Sequence, residues 1–376
     1  MKVVLSGGGS GGHIYPLYAV GEQILDICNE RGETPPNLYF YSDKNYNPDL
    51  INHLGIKYRR VFAGKIRTYF SVQNFIDIFI SFFGIFASLY KMMAAYPDVV
   101  FAKGGYASFP VLLAARILRI PIIIHESDTV PGRVTAWAAQ FAQRSAVSFA
   151  KVANDKRFKN VAHTGQPIMK GLLPPVGYDK EFYYGRPILL VTGGSQGSHT
   201  INNLIFLAMP TLLEKYNIVH IVGDNNLEMA KIESEKILEN NPNKKNYVLY
   251  GHVDLSDIYP KVDVAVSRGG ATTMFELAMW QIPTVFIPIS ISHGNHQAEN
   301  AYEAVKAGWA KSLEESNLSV HMLTQELDSI TESVETYNKY SDAAKNFGNR
   351  NAARIIAEEI LKILKGEAEN IYNLPD

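Results

Sequence analysis

VVLSGGGSGGHIYPLYAV, residues 3–20, runs three apolar residues, Val3 to Leu5, into five glycines, then a histidine and a proline. An apolar run that ends in glycines and passes into a helical pattern reads as a βα unit. Gly7, Gly9 and Gly12 satisfy the G-x-G-x-x-G spacing. The dinucleotide form of that motif also places an acidic residue about 20 positions on, whereas here the next strand-like run ends at Asp43, roughly thirty on. What the spacing establishes is a backbone stripped of side chains at a helix start. Free N–H groups and the positive end of the helix dipole favour anions there.

The same junction recurs. ILLVTGGSQGS (188–198) repeats it with Gly193–Gly197, and SRGG (267–270) with Gly269 and Gly270. Any one of these loops is equally well explained by a tight βα turn; three at matching places favour a phosphorylated ligand. Strand-like runs at 2–6, 37–41, 98–102, 120–124, 187–192, 218–222, 262–267 and 284–288 alternate with helical stretches at 14–30, 106–118, 131–143, 198–215, 226–239 and 272–281. Continuous Val/Ile/Leu runs fit parallel strands covered on both faces, and the alternation fits a doubly wound α/β chain. Periodicity lapses in LLPPVGYDKEFYYGRP (172–187), which places a crossover between two similar halves near 163–186.

Composition agrees. A chain of 376 residues with 47% hydrophobic and 19% charged residues has room for two domain cores. A net charge of −1 gives no pull toward nucleic acid. The single cysteine, Cys28, excludes an intramolecular disulfide and fits a reducing compartment. Met1 and Lys2 lead directly into the first strand, leaving no room for a signal peptide, so a cytosolic protein is expected.

His13 stands where the first glycine loop becomes helix. Alone, it reads as a locally bonded helix-start residue. With Gly11, Gly12 and Pro16 around it, it becomes a candidate base. The dipole disfavours imidazolium, and a neutral ring can take a hydroxyl proton. In SRGGATTMFELAMWQIPTVFIPISISHGNHQAENA (267–301), Thr272 and Thr273 are expected to cap a helix. Glu276, one turn inside, either compensates the dipole or accepts hydrogen bonds from ribose hydroxyls. Gln297 and Asn300 share a helical face and offer amides to sugar hydroxyls. No DxD pair, HExxH or Cys/His cluster occurs, so neither metal nor cofactor is expected.

Six ordered motifs, GGGSGGHIYP, GGYASFP, HESDTVPG, GGSQGSHTIN, SRGGATTMFELA and NHQAENA, resemble the MurG family from residue 2 to about residue 310. These are UDP-N-acetylglucosamine:lipid I N-acetylglucosaminyltransferases. The resemblance implies the GT-B fold, two Rossmann-like doubly wound α/β domains facing a deep cleft. It divides the chain into an acceptor domain, 1–163, and a UDP-GlcNAc domain, 164–349, with a C-terminal helix at about 350–368 (AARIIAEEILKIL) crossing back to the first. It also implies the reaction: GlcNAc moves with inversion from UDP-GlcNAc to the C4 hydroxyl of MurNAc in undecaprenyl-linked lipid I. UDP is released and lipid II forms, at the cytoplasmic face of the cell membrane.

Carried over position by position, the resemblance makes His13 the base and sets Glu126 on the acceptor side as an assisting acid or base. Ser10, Gly11 and Gly12 approach the donor diphosphate and the acceptor, and Ser195 and Gln196 hold the donor. Val253 lies beside uracil; Ala271, Thr272, Thr273, Met274, Phe275 and Glu276 cradle diphosphate and ribose; Gln297 meets GlcNAc. Tyr106 and Ser108 belong to the acceptor loop. Three positions depart from the family pattern. HEQN becomes His125-Glu126-Ser127-Asp128, turning an amide at Asp128 into an anion that repels a diphosphate unless it is turned away or protonated. NPVR becomes Gln166-Pro167-Ile168-Met169, with Lys170 one place on as an imperfect substitute for arginine. Ser10 replaces threonine.

A lipid-linked acceptor calls for a route to the membrane. TYFSVQNFIDIFISFFGIFASLYKMM (68–93) carries Phe75, Ile78, Phe79, Phe82, Phe83 and Phe86 at helical spacing, flanked by Lys65, Arg67 and Lys91. Its length approaches the ~20 residues of a transmembrane span. Gln73, Asn74, Asp77 and Gly84 instead favour an interfacial helix, with Phe75, Phe79 and Phe82 facing the membrane and another face in the core. Two other classes stay open: a non-catalytic nucleotide-sugar-binding partner, separable by UDP release, and an NAD-dependent oxidoreductase, separable by comparing NADH with UDP binding.

Overall fold

Val3, Val4 and Leu5 are fully buried in β1 (Lys2–Ser6), which is paired on both sides, with Tyr39 and with Val100 opposite Val4. In this computed structural model residues 1–9, 11–64, 72–182, 185–194, 196–289 and 295–367 are described, the side chains of 72 and 74–76 excepted. The first unit holds β1, β2 (Asn37–Ser42), β3 (Lys57–Arg60), β4 (Val99–Ala102), β5 (Ile122–Glu126), β6 (Arg144–Val147) and β7 (Val161–His163). They form one parallel sheet in the order β3-β2-β1-β4-β5-β6-β7. The second unit holds β8 (Ile188–Thr192), β9 (Asn217–Ile221), β10 (Tyr247–Tyr250), β11 (Val264–Ser267), β12 (Thr284–Phe286) and β13 (Ala310–Ser312). These are also parallel, in the order β10-β9-β8-β11-β12-β13. Both orders reverse direction once, next to β1 and next to β8. Ligands of doubly wound sheets bind outside the strand carboxyl ends at such reversals.

By contacts, the first unit comprises Met1–Lys170 and Arg350–Asp376, and the second Gly171–Asn349. Helix Ala352–Lys365 buries Ile356, Ala357, Ile360 and Leu361 in the first core, beside Leu17, Ile24 and Ile27 of helix Tyr15–Glu30. Arg354 pairs with Glu30 and Lys365 with Glu33, each at 2.7 Å, around that seam. The second core gathers Leu189, Val191, Val264 and Val266 with Leu323, Leu327 and Tyr337 of the following helices. Strands β3, β6, β7, β10 and β13 have no counterpart among the expected runs. Four of them border their sheets, and two of these lack a continuous apolar run: KYRR is largely exposed and AKS is buried only at Ala310.

Helix Val72–Ala95 packs against helix Phe109–Ile117 of the same unit. Its inner side is close-packed at Gly84, where a Cβ would lie 1.7 Å from the Phe62 carbonyl oxygen. Ser88 and Met92 continue that buried line, whereas Phe79, Phe82, Phe83, Phe86 and Tyr90 are exposed along the other side. Among the described residues one helical stretch, Asp77–Ala95, is long and apolar enough to cross a membrane.

The loops after β1 and β4 meet backbone to backbone. Gly105 has φ 78° and ψ 161°, and a Cβ there would lie 2.4 Å from the Gly8 carbonyl oxygen. A side chain at this position meets both a glycine-only conformation and an immovable neighbour, the first alone costing about 1–3 kcal/mol. Gly105→Ala is therefore expected to lower the thermal midpoint of the protein by several degrees. An unchanged midpoint in a melting experiment would rule out this packing.

Candidate functional site

At the carboxyl edge of the first sheet, the glycine loop tightens into a 3-10 turn, Gly11–His13, before helix Tyr15–Glu30. His13 is half-buried at that turn. Behind the loop, Asp43 collects hydroxyl groups: Tyr106 Oη donates to its Oδ2 at 2.5 Å and Tyr46 Oη to its Oδ1 at 3.2 Å. Tyr46 Oη in turn accepts the Gly9 N–H at 2.7 Å, and Ser42 Oγ donates to the Gly7 carbonyl at 2.6 Å. Tyr106 is thereby tied to the first glycine loop, 63 residues away from its partner in sequence. Burial and the adjoining Asp43 carboxylate push its phenol pKa up, so Tyr106 stays a donor at neutral pH. Asp43 and Tyr46 were not expected here; only folding brings them to the loop.

The neighbouring loop, after β5, is organised by Glu126. It is buried, and its two carboxylate oxygens accept the Asp128 N–H at 3.1 Å and the Gly132 N–H at 3.0 Å. Burial and the Asp128 carboxylate raise its pKa, while Lys103 and the two N–H groups oppose that rise. Glu126 thus shapes its own loop, with one backbone N–H on each carboxylate oxygen. Ser108, in the loop after β4, is fully buried and its hydroxyl donates to the Gly105 carbonyl at 2.9 Å. Lys170 is paired with Asp26 at 3.1 Å on helix Tyr15–Glu30. Asp128 is half-buried at the sheet edge.

In the second unit, helix Ala271–Met279 starts directly after Gly270 at the end of β11. Thr272 and Thr273 lie inside its first turn, not at its cap, because helix begins one residue before them; Gly270 is the cap. Gly269 is closed off, since a Cβ would lie 2.1 Å from the Gln297 carbonyl, whereas nothing approaches a Cβ at Gly270 within 4 Å. The backbone at Gly270 is therefore open to a ligand. Arg268 precedes it, half-buried, with no hydrogen-bond partner for Nε among the described residues. A guanidinium next to a helix start suits a phosphate group.

Glu276 is buried on the same helix and accepts a 2.7 Å hydrogen bond from Tyr259 Oη. Burial raises its pKa to about 7, against the lowering effect of the tyrosine bond. Met274 and Phe275 turn into the core, where Phe275 stacks on Phe347 at 5.1 Å between ring centres. Helical periodicity separates them from the outward side, so their side chains do not line the site. Ala271 is buried too. Asn300 is fully buried and donates to the Gly269 carbonyl at 2.9 Å, so it fastens the glycine loop and does not reach a sugar. Gln297 Oε1 accepts the Ile289 N–H at 3.2 Å. Gln196 is exposed in the loop after β8, and Val253 is half-buried after β10. Ser10, Ser195, Lys65, Arg67 and the Phe75 side chain lie outside the described residues. Among the described residues, no three His, Cys, Asp or Glu side chains converge as metal ligands.

The glycosyltransferase family 28 N-terminal domain matches residues 3–147 and the family 28 C-terminal domain residues 188–360. A relative from Clostridium kluyveri, a UDP-N-acetylglucosamine–N-acetylmuramyl-(pentapeptide) pyrophosphoryl-undecaprenol N-acetylglucosamine transferase, is 34% identical over 351 residues, 91% of this chain and 95% of its own. The chain belongs to that family, the MurG transferases. The MurG crystal structure from Acinetobacter baumannii superposes with a TM-score of 0.73 at 24% identity, covering 96% of this chain and 99% of that one. This is the GT-B fold, as the resemblance implied. A UDP-GlcNAc 2-epimerase from Neisseria meningitidis, solved with UDP-GlcNAc, matches at TM-score 0.66 and 16% identity over 96% of this chain and 100% of its own. The fold alone therefore does not separate transfer from epimerisation; membership of the MurG family makes this chain a UDP-GlcNAc-dependent glycosyltransferase.

Proposed function

We propose that the protein moves GlcNAc from UDP-GlcNAc onto the C4 hydroxyl of MurNAc in a polyprenyl-pyrophosphoryl acceptor, with inversion, making lipid II. The observation that carries the donor half is the end of β11. Arg268, the open backbone of Gly270 and the start of helix Ala271–Met279 offer an anion site, with Glu276 less than two turns further on. Diphosphate occupies the helix start and the ribose hydroxyls reach Glu276. The acceptor half is assigned to the first unit. His13 takes the C4 hydroxyl proton as the oxygen attacks the anomeric carbon from the face opposite UDP. One C–O bond forms, one breaks, and the bond electrons leave with the phosphate oxygen. Helix dipole, backbone N–H groups and Arg268 stabilise that leaving charge. Tyr106, fixed by Asp43, orients the acceptor. Mass spectrometry of the product from UDP-GlcNAc and a short-chain lipid I analogue tests the assignment: one added N-acetylhexosamine is expected. Binding of UDP without transfer would sink it in favour of a non-catalytic binder.

Membrane attachment is assigned to helix Val72–Ala95. Both of its ends return to one sheet, through β3 and β4, and its inner side is protein core, which favours lying on a bilayer over crossing it. Phe79 (65% exposed), Phe82 (54%) and Phe83 (67%) project outward, and Arg60 and Lys91 lie beside the exposed Phe62 ring, at 5.4 and 5.8 Å from its centre. Apolar insertion and attraction to anionic head groups add, each basic residue contributing about 1 kcal/mol near the surface. The orientation is cytoplasmic, where UDP-GlcNAc is available. Replacing Phe79 and Phe82 by serine is expected to weaken binding to anionic liposomes while activity on a water-soluble acceptor survives. High salt is expected to weaken the parent's binding as well. A folded double variant that binds liposomes like the parent would place the membrane surface elsewhere.

A further inference from the structure

Lys103 begins the loop after β4 in the stretch AKGGYAS (102–108) and is 2% exposed, although lysine is almost never buried without a partner. Its Nζ donates to Ser127 Oγ in the loop after β5. The two carboxylates that act on it electrostatically are Glu126, which ends β5, and Asp128 in that loop. Glu126 is fixed by the Asp128 and Gly132 N–H groups. His125, on the other side, is fully buried against the Gly165 carbonyl at 2.9 Å, and burial followed by the Lys103 charge holds its pKa well below the usual histidine range. A neutral imidazole cannot share the work of balancing the two acids.

We propose that Lys103 is a positioning residue for the transfer reaction: its buried ammonium offsets the neighbouring Glu126 and Asp128 carboxylates, so that the loop after β5 admits a phosphate-bearing substrate. The proposal rests on the transferase reading above. It accounts for the departure at position 128. Where the resemblance implies a neutral amide, this chain carries a carboxylate at the substrate edge, and an uncompensated anion there would oppose both pyrophosphate-bearing substrates. Lys103 cuts the local charge from two negatives to one without touching either substrate. Burial, opposed by Glu126 and Asp128, lowers the lysine pKa to about 8. The ammonium is present at pH 7 and lost on the alkaline side, so activity is expected to fall as pH rises through about 8.

The test compares full-length parent, Lys103→Met and Lys103→Met/Asp128→Asn, with folding followed by thermal melting and transfer by UDP release across pH. Lys103→Met is expected to lose at least tenfold in kcat/KM at pH 8. Part of that loss should return at lower pH, as Glu126, already raised by burial, takes up a proton. Removing the second charge with Asp128→Asn should recover most of the loss and abolish the acid-side gain. A folded Lys103→Met with activity within threefold of the parent overturns the proposal, as does a folded, slow variant that Asp128→Asn does not rescue. If Lys103→Met fails to fold, a folded and active double variant supports the proposal, and an unfolded double variant overturns it. A parent that binds UDP but never transfers would refute the transferase reading instead, a result distinct from all of these.

Discussion

His13→Ala is expected to reduce kcat by 10²–10⁴-fold, the usual worth of a positioned general base, with little change in UDP affinity. The two parameters should separate because a base acts on a proton that moves only in the transition state. UDP binding is assigned to the second unit, whereas His13 belongs to the 3-10 turn of the first. Melting temperature is the control, since the His13 backbone carbonyl lies against Gly7, where a Cβ would come within 2.6 Å, and this packing does not depend on the imidazole. A near-parental kcat in a folded variant would move the base elsewhere. Glu126 would be a poor successor, because both of its oxygens are already bonded within its loop.

Glu276→Gln is expected to raise the KM for UDP-GlcNAc at least tenfold, since a hydrogen bond to a charged acceptor is worth about 1.5–3 kcal/mol. Glutamine keeps the shape and the bond from Tyr259, so a collapse of the pocket is not what is measured. The pH dependence gives an independent reading. Burial raises the Glu276 pKa from its ordinary 4.5 to about 7. The folded protein therefore holds a proton that the unfolded chain releases between those values. This contribution is complete below the unfolded pKa and is lost as pH rises through about 7, to a total of about 3 kcal/mol. The parent should lose stability over that window, and Glu276→Gln, which does not titrate, should lose correspondingly less. Ribose hydroxyls prefer the ionised carboxylate, so UDP should drive a proton off Glu276 near neutrality. Calorimetry of UDP binding in buffers of different ionisation enthalpy should register that release in the parent and not in the variant. Equal slopes and no released proton would end the ribose assignment.

The glycine junctions were legible because each needs only local chemistry: a strand, a stripped backbone and a helix start within a dozen residues. The sheet orders place the loops after β1, β8 and β11 beside the two chain reversals. What was not legible depends on partners brought together by folding. Nothing near Glu276 announces Tyr259, and nothing near Tyr106 announces Asp43. The motif ATTMFE reads as a continuous cradle, yet 3.6 residues per turn send Met274 and Phe275 into the core. Asn300 and Ser108 carry suitable chemistry, but a neighbouring backbone carbonyl occupies each of them. Edge strands such as KYRR were missed because one side of such a strand faces solvent and needs no apolar run.

The return of helix Ala352–Lys365 to the first unit sets an order on synthesis. A ribosome that has released residues 1–349 has made every strand of the first sheet but not the helix that covers Leu17, Ile24 and Ile27. The second unit, Gly171–Asn349, is continuous and has all of its own core by then. The usual sequence of amino-terminal domain first is therefore inverted at the final step. The unit built on residues 1–170 is sealed only after the second unit has been made, and until residues 352–365 emerge it presents an apolar groove to chaperones and proteases.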